Sequence, residues 1–224
     1  MKWMKKRKWI RLLSVALVAG ILTVGCGAKK DASGEEKTGT EKSETAKTES
    51  DATEDKTAIS GKHHVEINVK DYGTIKVELD ADTAPITVEN FMTLAEEGFY
   101  DGLTFHRIID GFMIQGGDPN GNGTGGSDTK IKGEFEGNGV KNDISHVRGT
   151  ISMARSSAND SASSQFFIVQ SDSQYLDGEY AGFGTVTEGM EIVDQICKDT
   201  PVQDANGTVA AEDQPVIESV KVID

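Results

Sequence analysis

The sequence contains only two cysteines, Cys26 and Cys197. Cys26 lies near the N-terminus, in a sorting motif described below that gives it a separate role. Cys197 is then left without an intramolecular partner, so the fold must depend on its hydrophobic core rather than on disulfides. The apolar pattern around Cys197, GMEIVDQICK, predicts that its thiol is a buried small hydrophobe.

Basic residues are also scarce, with 23 Lys and Arg against 37 Asp and Glu and a net charge of −14. Six of the basic residues and none of the acidic ones fall in the first stretch, MKWMKKRKWIR, which leaves 17 of the 23 for the rest of the chain. Contacts to phosphate groups require Lys and Arg. The composition therefore argues against nucleic acid as a partner.

Motifs for metal binding and covalent catalysis are missing from the sequence. The four histidines, His63, His64, His106 and His146, show no H-E-x-x-H or other metal-ligand spacing. No G-x-S-x-G motif marks a serine nucleophile. The sequence therefore predicts a function that uses no metal, no cofactor and no covalent intermediate.

Two glycine-rich motifs overlap in one stretch but match their patterns poorly. GNGTGG (121–126) has the spacing of a dinucleotide-binding loop, yet the residues after it, SDTKIKGEF, do not predict a helix. DPNGNG (118–123) matches the first half of a calcium loop, but Thr129 stands where the twelfth position needs Glu. We interpret the stretch as a polar glycine loop that binds neither ligand.

An export signal is indicated at the N-terminus by the basic stretch and the apolar run LLSVALVAGILTVG that follows it. The run is roughly 13 residues long, shorter than the ~20 that span a bilayer, although an N-terminal anchor helix is the alternative. The sequence LTVGC resembles a bacterial lipobox, with Thr23 where that motif usually has Leu. This resemblance implies a signal peptide at residues 1–25 and a lipid on Cys26, which would anchor the chain on the extracytoplasmic side of a bacterial cell membrane.

The segment after the lipidation motif predicts a disordered tether. Residues 27–61 include no aromatic residue and almost no large aliphatic one, so they cannot bury enough surface to offset the entropy of ordering. A coil of ~35 residues has a root-mean-square reach of about 33 Å. We therefore expect residues 26–61 to be a lipidated, passive spacer that holds a single domain, residues 62–224, away from the membrane.

The pattern of this domain predicts many short strands and two helices. HVEINVK and TIKVELD alternate apolar and polar residues on either side of DYG, which indicates a hairpin. TAPITVENFMTLAEEG has helical spacing at Val88, Phe91 and Leu94 and ends at Gly98, and GMEIVDQICK is a second helix. Strand-like runs follow at LTFHRII, FMIQ, GTISMA, QFFIVQ, GFGTV and VIESVKVI. This pattern favours an antiparallel sandwich or barrel.

One stretch, FHRIIDGFMIQGGD (105–118), places an arginine among large apolar residues and ends in two glycines before its aspartate. In an extended strand Arg107 shares a face with Phe105 and Ile109. The arginine either snorkels across apolar surface to reach water or a carboxylate, or it is a donor held at the rim of an apolar pocket. The sequence around it leaves both interpretations open.

A family resemblance favours the second interpretation. FHRII-x-GFM-x-QGGD, NGTGG, SMA, SQFFI and LDG occur in an order and at a spacing that resemble the cyclophilin family of peptidyl-prolyl isomerases. The resemblance covers about three-quarters of the chain, from near Lys62 to its end. It implies a closed, eight-stranded antiparallel barrel capped by two α-helices, with an active groove on the outside of the barrel.

The resemblance also implies the residues of the site. Arg107 is the catalytic residue by this comparison, and a proline pocket is formed by Phe112, Met113, Phe167 and Leu176. The substrate groove is completed by His106, Gln115, Ala154, Arg155, Ser156, Gln165, Tyr175 and Tyr180. Tyr175, Tyr180 and Arg155 depart from the best-known eukaryotic members, which have Trp, His and Asn there, so substrate preference can differ while the catalytic residue and pocket are intact.

The expected chemistry explains why no nucleophile is needed. Rotation about a peptide C–N bond has a barrier near ~18–20 kcal/mol because the nitrogen lone pair is shared with the carbonyl. An apolar pocket that holds the proline ring, and a fixed donor near the nitrogen, favour the twisted amide over the planar one. We therefore expect a monomeric isomerase that acts on X-Pro bonds of exported proteins. The alternative is a proline-binding chaperone or interaction module whose catalysis is incidental.

Overall fold

The computed structural model describes residues 59–224, in which eight β-strands and two α-helices follow one another along the chain. The strands are β1 (Lys62–Val69), β2 (Gly73–Asp80), β3 (Phe105–Ile109), β4 (Met113–Gly116), β5 (Thr150–Met153), β6 (Phe166–Val169), β7 (Gly182–Glu188) and β8 (Ile217–Val222). The helices are α1 (Pro85–Glu96) and α2 (Met190–Asp199). Each strand-like or helical run identified in the sequence corresponds to one of these elements. The predicted signal peptide, Cys26 and nearly all of the tether lie outside the described residues.

The predicted hairpin is confirmed by β1 and β2. They pair antiparallel in register, with Val65 opposite Val77 and Ile67 opposite Ile75, and these side chains are buried. Asp71 lies in the turn between them and Gly73 begins β2, and both have positive φ (65° and 120°), a conformation that glycine and aspartate tolerate better than most residues. Alternation along both strands therefore gives one core face and one solvent face.

The eight strands form one antiparallel ladder in the order β3-β4-β6-β5-β7-β2-β1-β8. β3 and β8 are the two ends of this ladder. Contact between the ends is confined to the first residue of each strand and the few residues before it. There Thr104 bridges Val216, the Ile217 amide donates to the Leu103 carbonyl at 2.8 Å, and the Phe105 amide donates to the Pro215 carbonyl at 3.0 Å. The strands therefore form an open half-barrel, which corrects the expectation of a closed barrel.

The physical reason for the opening is that another segment covers β3. The Ile108 amide donates to the Gly207 carbonyl at 2.8 Å, and the Val209 amide donates to the His106 carbonyl at 3.1 Å. The backbone groups at the outer edge of β3 therefore bond to the loop before β8 and not to β8 itself. An edge strand covered in this way has few free backbone groups for pairing with another chain.

Helix α1 packs across the sheet, and a carboxylate distant in sequence accepts hydrogen bonds from its first amides. Glu134 accepts hydrogen bonds from the backbone amides of Ile86 and Thr87, at 3.1 and 2.8 Å, and from the Thr87 hydroxyl at 2.7 Å. The first amides of a helix have no partner within the helix, and a negative charge there is favoured by the helix dipole. Glu134 is itself buried, so it fixes the loop that carries it as well as the helix.

The main core lies between α1 and the inner face of the sheet. The ring of Phe91 on α1 lies 5.0 Å from Tyr100, 5.4 Å from Phe166 and 5.2 Å from Phe183 between centroids. All four rings are fully buried, and tilted or edge-on aromatic pairs of this kind add stability beyond their buried area.

The second helix carries Cys197, which is buried as the sequence predicts. Burial raises the pKa of the Cys197 thiol to about 12, so the thiol stays protonated and unreactive at neutral pH. None of the helices between residues 59 and 224 is both long and apolar enough to cross a lipid bilayer.

Candidate active site

Strands β3, β4, β6 and β5 present two different faces. Across the inner face the paired residues are Ile108, Ile114, Ile168 and Ile151, all in the main core. Across the outer face the paired residues are Arg107, Gln115, Phe167 and Ser152. Because directly paired residues point to the same side of a sheet, strand alternation places an arginine, a glutamine and a phenylalanine in one row on the outside.

An irregularity in β3 sets the orientation of Arg107. Phe105 pairs with Gly116 and Arg107 pairs with Gln115, so His106 is an extra residue in the ladder, as in a β-bulge. As a result Phe105 lies in the main core, whereas Ile109 packs with the outer cluster. The expectation that Phe105 shares a face with Arg107 is wrong, and the bulge is the reason.

The outer face carries a second, smaller hydrophobic cluster. Met113, Phe167 and Val169 are buried there, and partly buried apolar residues pack against them. Above this cluster lies a cavity of about 220 Å³, which we call the apolar pocket. It is lined by Arg107, Phe112, Met113, Gln115, Ala154, Arg155, Phe167, Leu176 and Tyr180. The structure thus brings most of the predicted site residues to one pocket with an apolar floor.

Arg107 is held by a row of hydrogen bonds. Its Nε donates to the Asn206 carbonyl at 2.8 Å, and its Nη1 donates to Gln115 Oε1 at 3.0 Å. Gln115 donates to Gln165 Oε1 at 2.9 Å, and Gln165 donates to the Gly125 carbonyl at 2.8 Å. This row fixes the orientation of both amides and of the guanidinium plane.

No ion pair involves Arg107 among the residues that the structure describes, and its Nη2 makes no hydrogen bond to them. Burial lowers the pKa of Arg107 below its ordinary value, but that value is so high that the guanidinium stays charged at neutral pH. The side chain therefore does not reach a carboxylate, and a charged donor remains available at the rim of the apolar pocket.

Gly116 and Gly117, the two glycines near the end of the stretch 105–118, allow strands to approach closely. A Cβ on Gly116 would lie 2.8 Å from the Thr104 carbonyl oxygen. Gly117 has φ of +80°, and a Cβ there would lie 2.5 Å from the Ser164 carbonyl oxygen. Neither position has room for a side chain, and only glycine adopts the second conformation without strain.

A buried polar network supports the floor of the apolar pocket. His146 Nδ1 lies 2.9 Å from Asp177 Oδ1, and His146 Nε2 lies 2.9 Å from Ser152 Oγ. Since the carboxylate accepts from Nδ1, the Ser152 hydroxyl donates to Nε2. The His146 ring stacks under Phe167 with centroids 6.0 Å apart. The network therefore joins the pocket floor to Asp177, which directly follows the wall residue Leu176.

The bonding order Ser–His–Asp matches that of a hydrolase triad, but its position does not suit hydrolysis. Ser152 and His146 are both fully buried, beneath Phe167 and behind Tyr180. A substrate carbonyl cannot approach the Ser152 oxygen without removing the pocket floor. The network is therefore a support for the pocket.

Two larger cavities adjoin the apolar pocket. The first, about 410 Å³, is called the serine cavity here, and its lining includes Gln115, Gly125, Lys130, Ala154, Arg155, Ser156, Ser161, Ser163 and Gln165. The second, about 620 Å³, is called the glutamine cavity, and its lining includes His106, Arg107, Gln115, Asn120, Gln203, Thr208, Glu212 and Gln214. Of the predicted groove residues, Ser156 and Gln165 thus lie in the serine cavity and His106 in the glutamine cavity.

Tyr175 is the predicted site residue that lines none of these three cavities. Its ring lies 5.9 Å from that of Phe112, and 71% of the residue is exposed. It belongs to a 3₁₀ turn, Gln174–Leu176, which forms one wall of the site. Tyr175 therefore lies at the exposed edge of the site, beside Phe112.

Sequence reasoning missed several residues that shape the site. Asn206 holds Arg107 through its carbonyl from 99 positions away, and neither its residue type nor its surroundings indicate that contact. Lys130, Ser161 and Ser163 line the serine cavity from loops. Asp177 belongs to the LDG motif of the family resemblance, but nothing in the sequence indicates its contact with His146.

His106 is 4% exposed, and neither ring nitrogen has a hydrogen-bond partner among the described residues. Burial lowers the pKa of His106, and Arg107 lowers it further, against the opposing effect of Asp118. Burial also lowers the pKa of His146, with Asp177 opposing. Both rings are therefore neutral at neutral pH.

The lowered histidine pKa values predict a loss of stability in mild acid. Below the ordinary histidine value of 6.5, the unfolded chain binds protons that the folded chain does not, so stability falls as the pH falls. We expect a lower thermal midpoint at about pH 5.5 than at about pH 7.5. The His106→Leu variant should show a smaller change, at little cost at the higher pH, because both ring nitrogens lack partners among the described residues. An unchanged pH dependence in this variant would show that His106 does not contribute.

Between residues 59 and 224 no group of three or more His, Cys, Asp or Glu side chains is arranged to hold a metal ion. In the glycine loop, burial raises the pKa of Asp118, but hydrogen bonds from the amides of Asn120, Asn122 and Gly123 outweigh it and keep the pKa below its ordinary value. The carboxylate is thus occupied by the loop's own backbone.

Comparison with known proteins gives a family match over most of the described chain. The family model described as cyclophilin type peptidyl-prolyl cis-trans isomerase matches residues 64–222. Two relatives are peptidyl-prolyl cis-trans isomerase B of Bacillus subtilis (strain 168) and a peptidyl-prolyl cis-trans isomerase of Helicobacter pylori (strain 26695). The first is 50% identical over 123 residues, covering 55% of this chain and 82% of the relative. The second is 49% identical over 126 residues, covering 55% and 74%.

A solved structure gives the same relationship at the level of the fold. A cyclophilin type peptidyl-prolyl cis-trans isomerase of Cryptosporidium parvum, crystallised in the presence of the dipeptide Ala-Pro, superposes with a TM-score of 0.63 at 31% identity. The match covers 72% of this chain and 99% of that one. The eight antiparallel strands and two helices are therefore arranged as in that protein.

Proposed function

The chain belongs to the cyclophilin family and is a peptidyl-prolyl cis-trans isomerase, and from this premise we propose how its groove performs the reaction. The observation that carries the proposal is a charged, immobilised guanidinium at the rim of an apolar pocket, bonded to Asn206 and Gln115 but to no carboxylate among the described residues. A ligand with an apolar ring and an amide beside it matches both features.

In the proposed mechanism the proline ring of the substrate enters the apolar pocket, against Phe112, Met113, Phe167 and Leu176. As the X-Pro bond twists, the nitrogen becomes pyramidal and its lone pair is no longer shared with the carbonyl. Arg107 then donates a hydrogen bond to that nitrogen. Because this bond is stronger for the twisted amide than for the planar one, it lowers the barrier instead of only improving binding.

The other predicted residues keep this donor and pocket in place. Gln115 and Gln165 fix the guanidinium plane through their row of hydrogen bonds. Ala154, Arg155 and Ser156 form a neighbouring wall, and Tyr175 and Tyr180 bound the entrance. No bond in the substrate is broken and no proton needs to move. The proposal therefore requires no cofactor.

The test of this function is a protease-free assay of X-Pro isomerisation, with Arg107→Ala as the control. Faster exchange between cis and trans peptide in the presence of the wild-type chain is expected. Binding of the peptide without faster exchange would favour the proline-binding module instead.

We further propose that the enzyme is a lipoprotein of the bacterial cell membrane. The support is the basic N-terminal stretch, the short apolar run and LTVGC before Cys26. In this proposal residues 1–25 are removed, residues 26–61 form the lipidated tether, and a monomeric domain of residues 62–224 works on exported proteins.

Labelled fatty acid should enter the wild-type chain when it is produced in a bacterium, and Cys26→Ala should abolish this labelling and leave the precursor uncleaved. Cys197→Ala is the matched control, because Cys197 is buried in α2 and should not affect labelling. Equal labelling of wild type and Cys26→Ala would contradict the lipid anchor.

A further inference from the structure

A short loop before β8, residues 204–208, contacts both β3 and its arginine, and we call it the arginine loop. The Asn206 carbonyl accepts a hydrogen bond from Arg107 Nε at 2.8 Å. The next carbonyl, that of Gly207, accepts one from the Ile108 amide at 2.8 Å. Because these two carbonyls are consecutive, the conformation of the loop determines where the acceptor for Arg107 lies relative to the strand that carries it.

Asp204 folds the arginine loop. Its Oδ1 accepts hydrogen bonds from the amides of Asn206 and Thr208 at 2.9 and 3.2 Å, and its Oδ2 accepts one from the Thr208 hydroxyl at 3.0 Å. Its backbone carbonyl accepts another from the Gly207 amide at 3.1 Å. An aspartate that bonds to backbone amides further along the chain stabilises a turn. These four bonds surround Asn206, so Asp204 fixes the direction in which the Asn206 carbonyl points.

Two hydrogen bonds to oxygen acceptors orient the guanidinium of Arg107. Its Nε donates to the Asn206 carbonyl, and its Nη1 donates to Gln115 Oε1 at 3.0 Å. If the Asn206 carbonyl is displaced, the guanidinium can turn about the bond to Gln115, and its remaining N–H groups lose their fixed direction. A hydrogen-bond donor lowers a barrier most when it is already in place before the reaction. The arginine loop is therefore one of the two supports of this donor.

Asp204 lies outside the groove. It lines none of the three cavities on the outer face of the sheet, and its carboxylate makes no direct bond to Arg107 within residues 59–224. Hydrogen bonds from the Thr208 amide and hydroxyl hold the pKa of Asp204 below its ordinary value, so the carboxylate is ionised. Burial lowers the pKa of Arg107, and the charge of Asp204 is among the effects that oppose this. Asp204 can therefore affect the reaction through the loop that it folds or through its charge.

We propose that Asp204 is a positioning residue for the isomerase reaction and that it acts through the arginine loop. By folding this loop, Asp204 holds the Asn206 carbonyl where it fixes Nε of Arg107, and the other end of the guanidinium stays directed at the apolar pocket. This inference rests on the mechanism proposed above and adds to it a residue that does not contact the substrate. The geometry of the Asp204 side chain matters for this role, and its charge does not.

Two substitutions of Asp204 separate the geometry of its side chain from its charge. Asp204→Ala removes both side-chain acceptors and should lower kcat for an X-Pro peptide about tenfold, because misplacement of a catalytic group by about 1 Å can cost ~10²-fold. KM should change little, since the pocket residues stay in place. Asp204→Asn keeps one oxygen for the two amides, and its NH₂ group can donate to the Thr208 hydroxyl. This variant should recover most of the lost kcat without the charge.

A double variant shows whether Asp204 acts through Arg107. Arg107→Ala combined with Asp204→Ala should be no slower than Arg107→Ala alone, because the effects of residues that share one contact do not add. The NMR signal of the Arg107 Nε–H group reports the bond to Asn206 directly. It should move in Asp204→Ala and keep its wild-type position in Asp204→Asn.

Asp80→Ala is the matched control, because Asp80 folds a similar turn outside all three cavities. Its Oδ1 accepts hydrogen bonds from the amides of Asp82 and Thr83 at 3.1 and 3.0 Å, and its Oδ2 accepts one from the Thr83 hydroxyl at 3.0 Å. This variant should lose stability but keep the wild-type kcat per folded molecule.

Three results would overturn the positioning role of Asp204. They are a wild-type kcat or an unmoved Nε–H signal in Asp204→Ala, an Asp204→Asn variant as slow as Asp204→Ala, and a double variant that is slower than Arg107→Ala. If Arg107→Ala itself kept its activity, the isomerase mechanism would be wrong instead, so the two failures are distinguishable.

Discussion

Replacing Arg107 with alanine should lower kcat/KM for an X-Pro peptide by ~10²–10³-fold, the usual loss when one preorganised donor is removed from a dry site. The loss of folding stability should be far smaller. The Arg107 side chain is half-buried and donates to the Asn206 carbonyl, to Gln115 and, weakly at 3.8 Å, to the Met113 sulfur, and the first two acceptors can bond to water when it is gone. Isomerisation rates and thermal midpoints of the two proteins, measured on the same samples, give both quantities.

Arg107→Lys separates the charge of the side chain from its geometry. Lysine keeps the positive charge but loses the planar fork that reaches Asn206 and Gln115 at the same time, so this variant should also be impaired. Arg148→Ala is a matched control, because Arg148 pairs with Asp194 through two bonds of 2.8 and 2.7 Å away from the groove. It should lose at most about 1 kcal/mol of stability and keep its activity per folded molecule. If Arg107→Ala kept most of its activity while its midpoint fell, Arg107 would be a structural residue.

The alternation of apolar and polar residues predicted the elements of this fold but not their closure. Each run with period two became a strand, because one buried face strongly specifies the register. Whether the ladder closes depends on β3 and β8, and the competing partner of β3 is the loop around Gly207. A loop without periodicity gives no sequence signal that it will pair with a strand, so the open half-barrel could not be foreseen.

The prediction of which face each side chain occupies was wrong at the bulge in β3. Alternation places Phe105 and Arg107 on one face, but the extra residue His106 moves Phe105 to the core. Nothing in FHRII distinguishes a bulged strand from a regular one. The apolar pocket itself was more predictable, since its floor residues lie at paired positions of regular strands, whereas the contacts of Arg107 with Asn206 and of Gln165 with Gly125 come from loops.

The two faces of β6 should respond differently to the same substitution. Phe166 and Phe167 are adjacent, and both are buried. Phe166 packs in the main core, with ring centroids 5.4 Å from Phe91 and 5.6 Å from Tyr100. Phe167 forms the pocket floor over His146, 6.0 Å away, and beside Tyr180, 5.9 Å away. They form a matched pair because chain position, residue type and burial are nearly the same.

Phe166→Leu should cost about 2 kcal/mol of stability, through lost aromatic contacts and an imperfectly filled site, and leave kcat/KM per folded molecule unchanged. Phe167→Leu should cost less stability, because it belongs to the smaller cluster, but lower kcat/KM about tenfold or more, since pocket shape controls how well the proline ring is held. Thermal unfolding and X-Pro isomerisation of both variants test this. Equal losses of activity per folded molecule would mean that the sheet does not separate a stabilising inner face from a catalytic outer face, because a change in the core would then reach the pocket through β6.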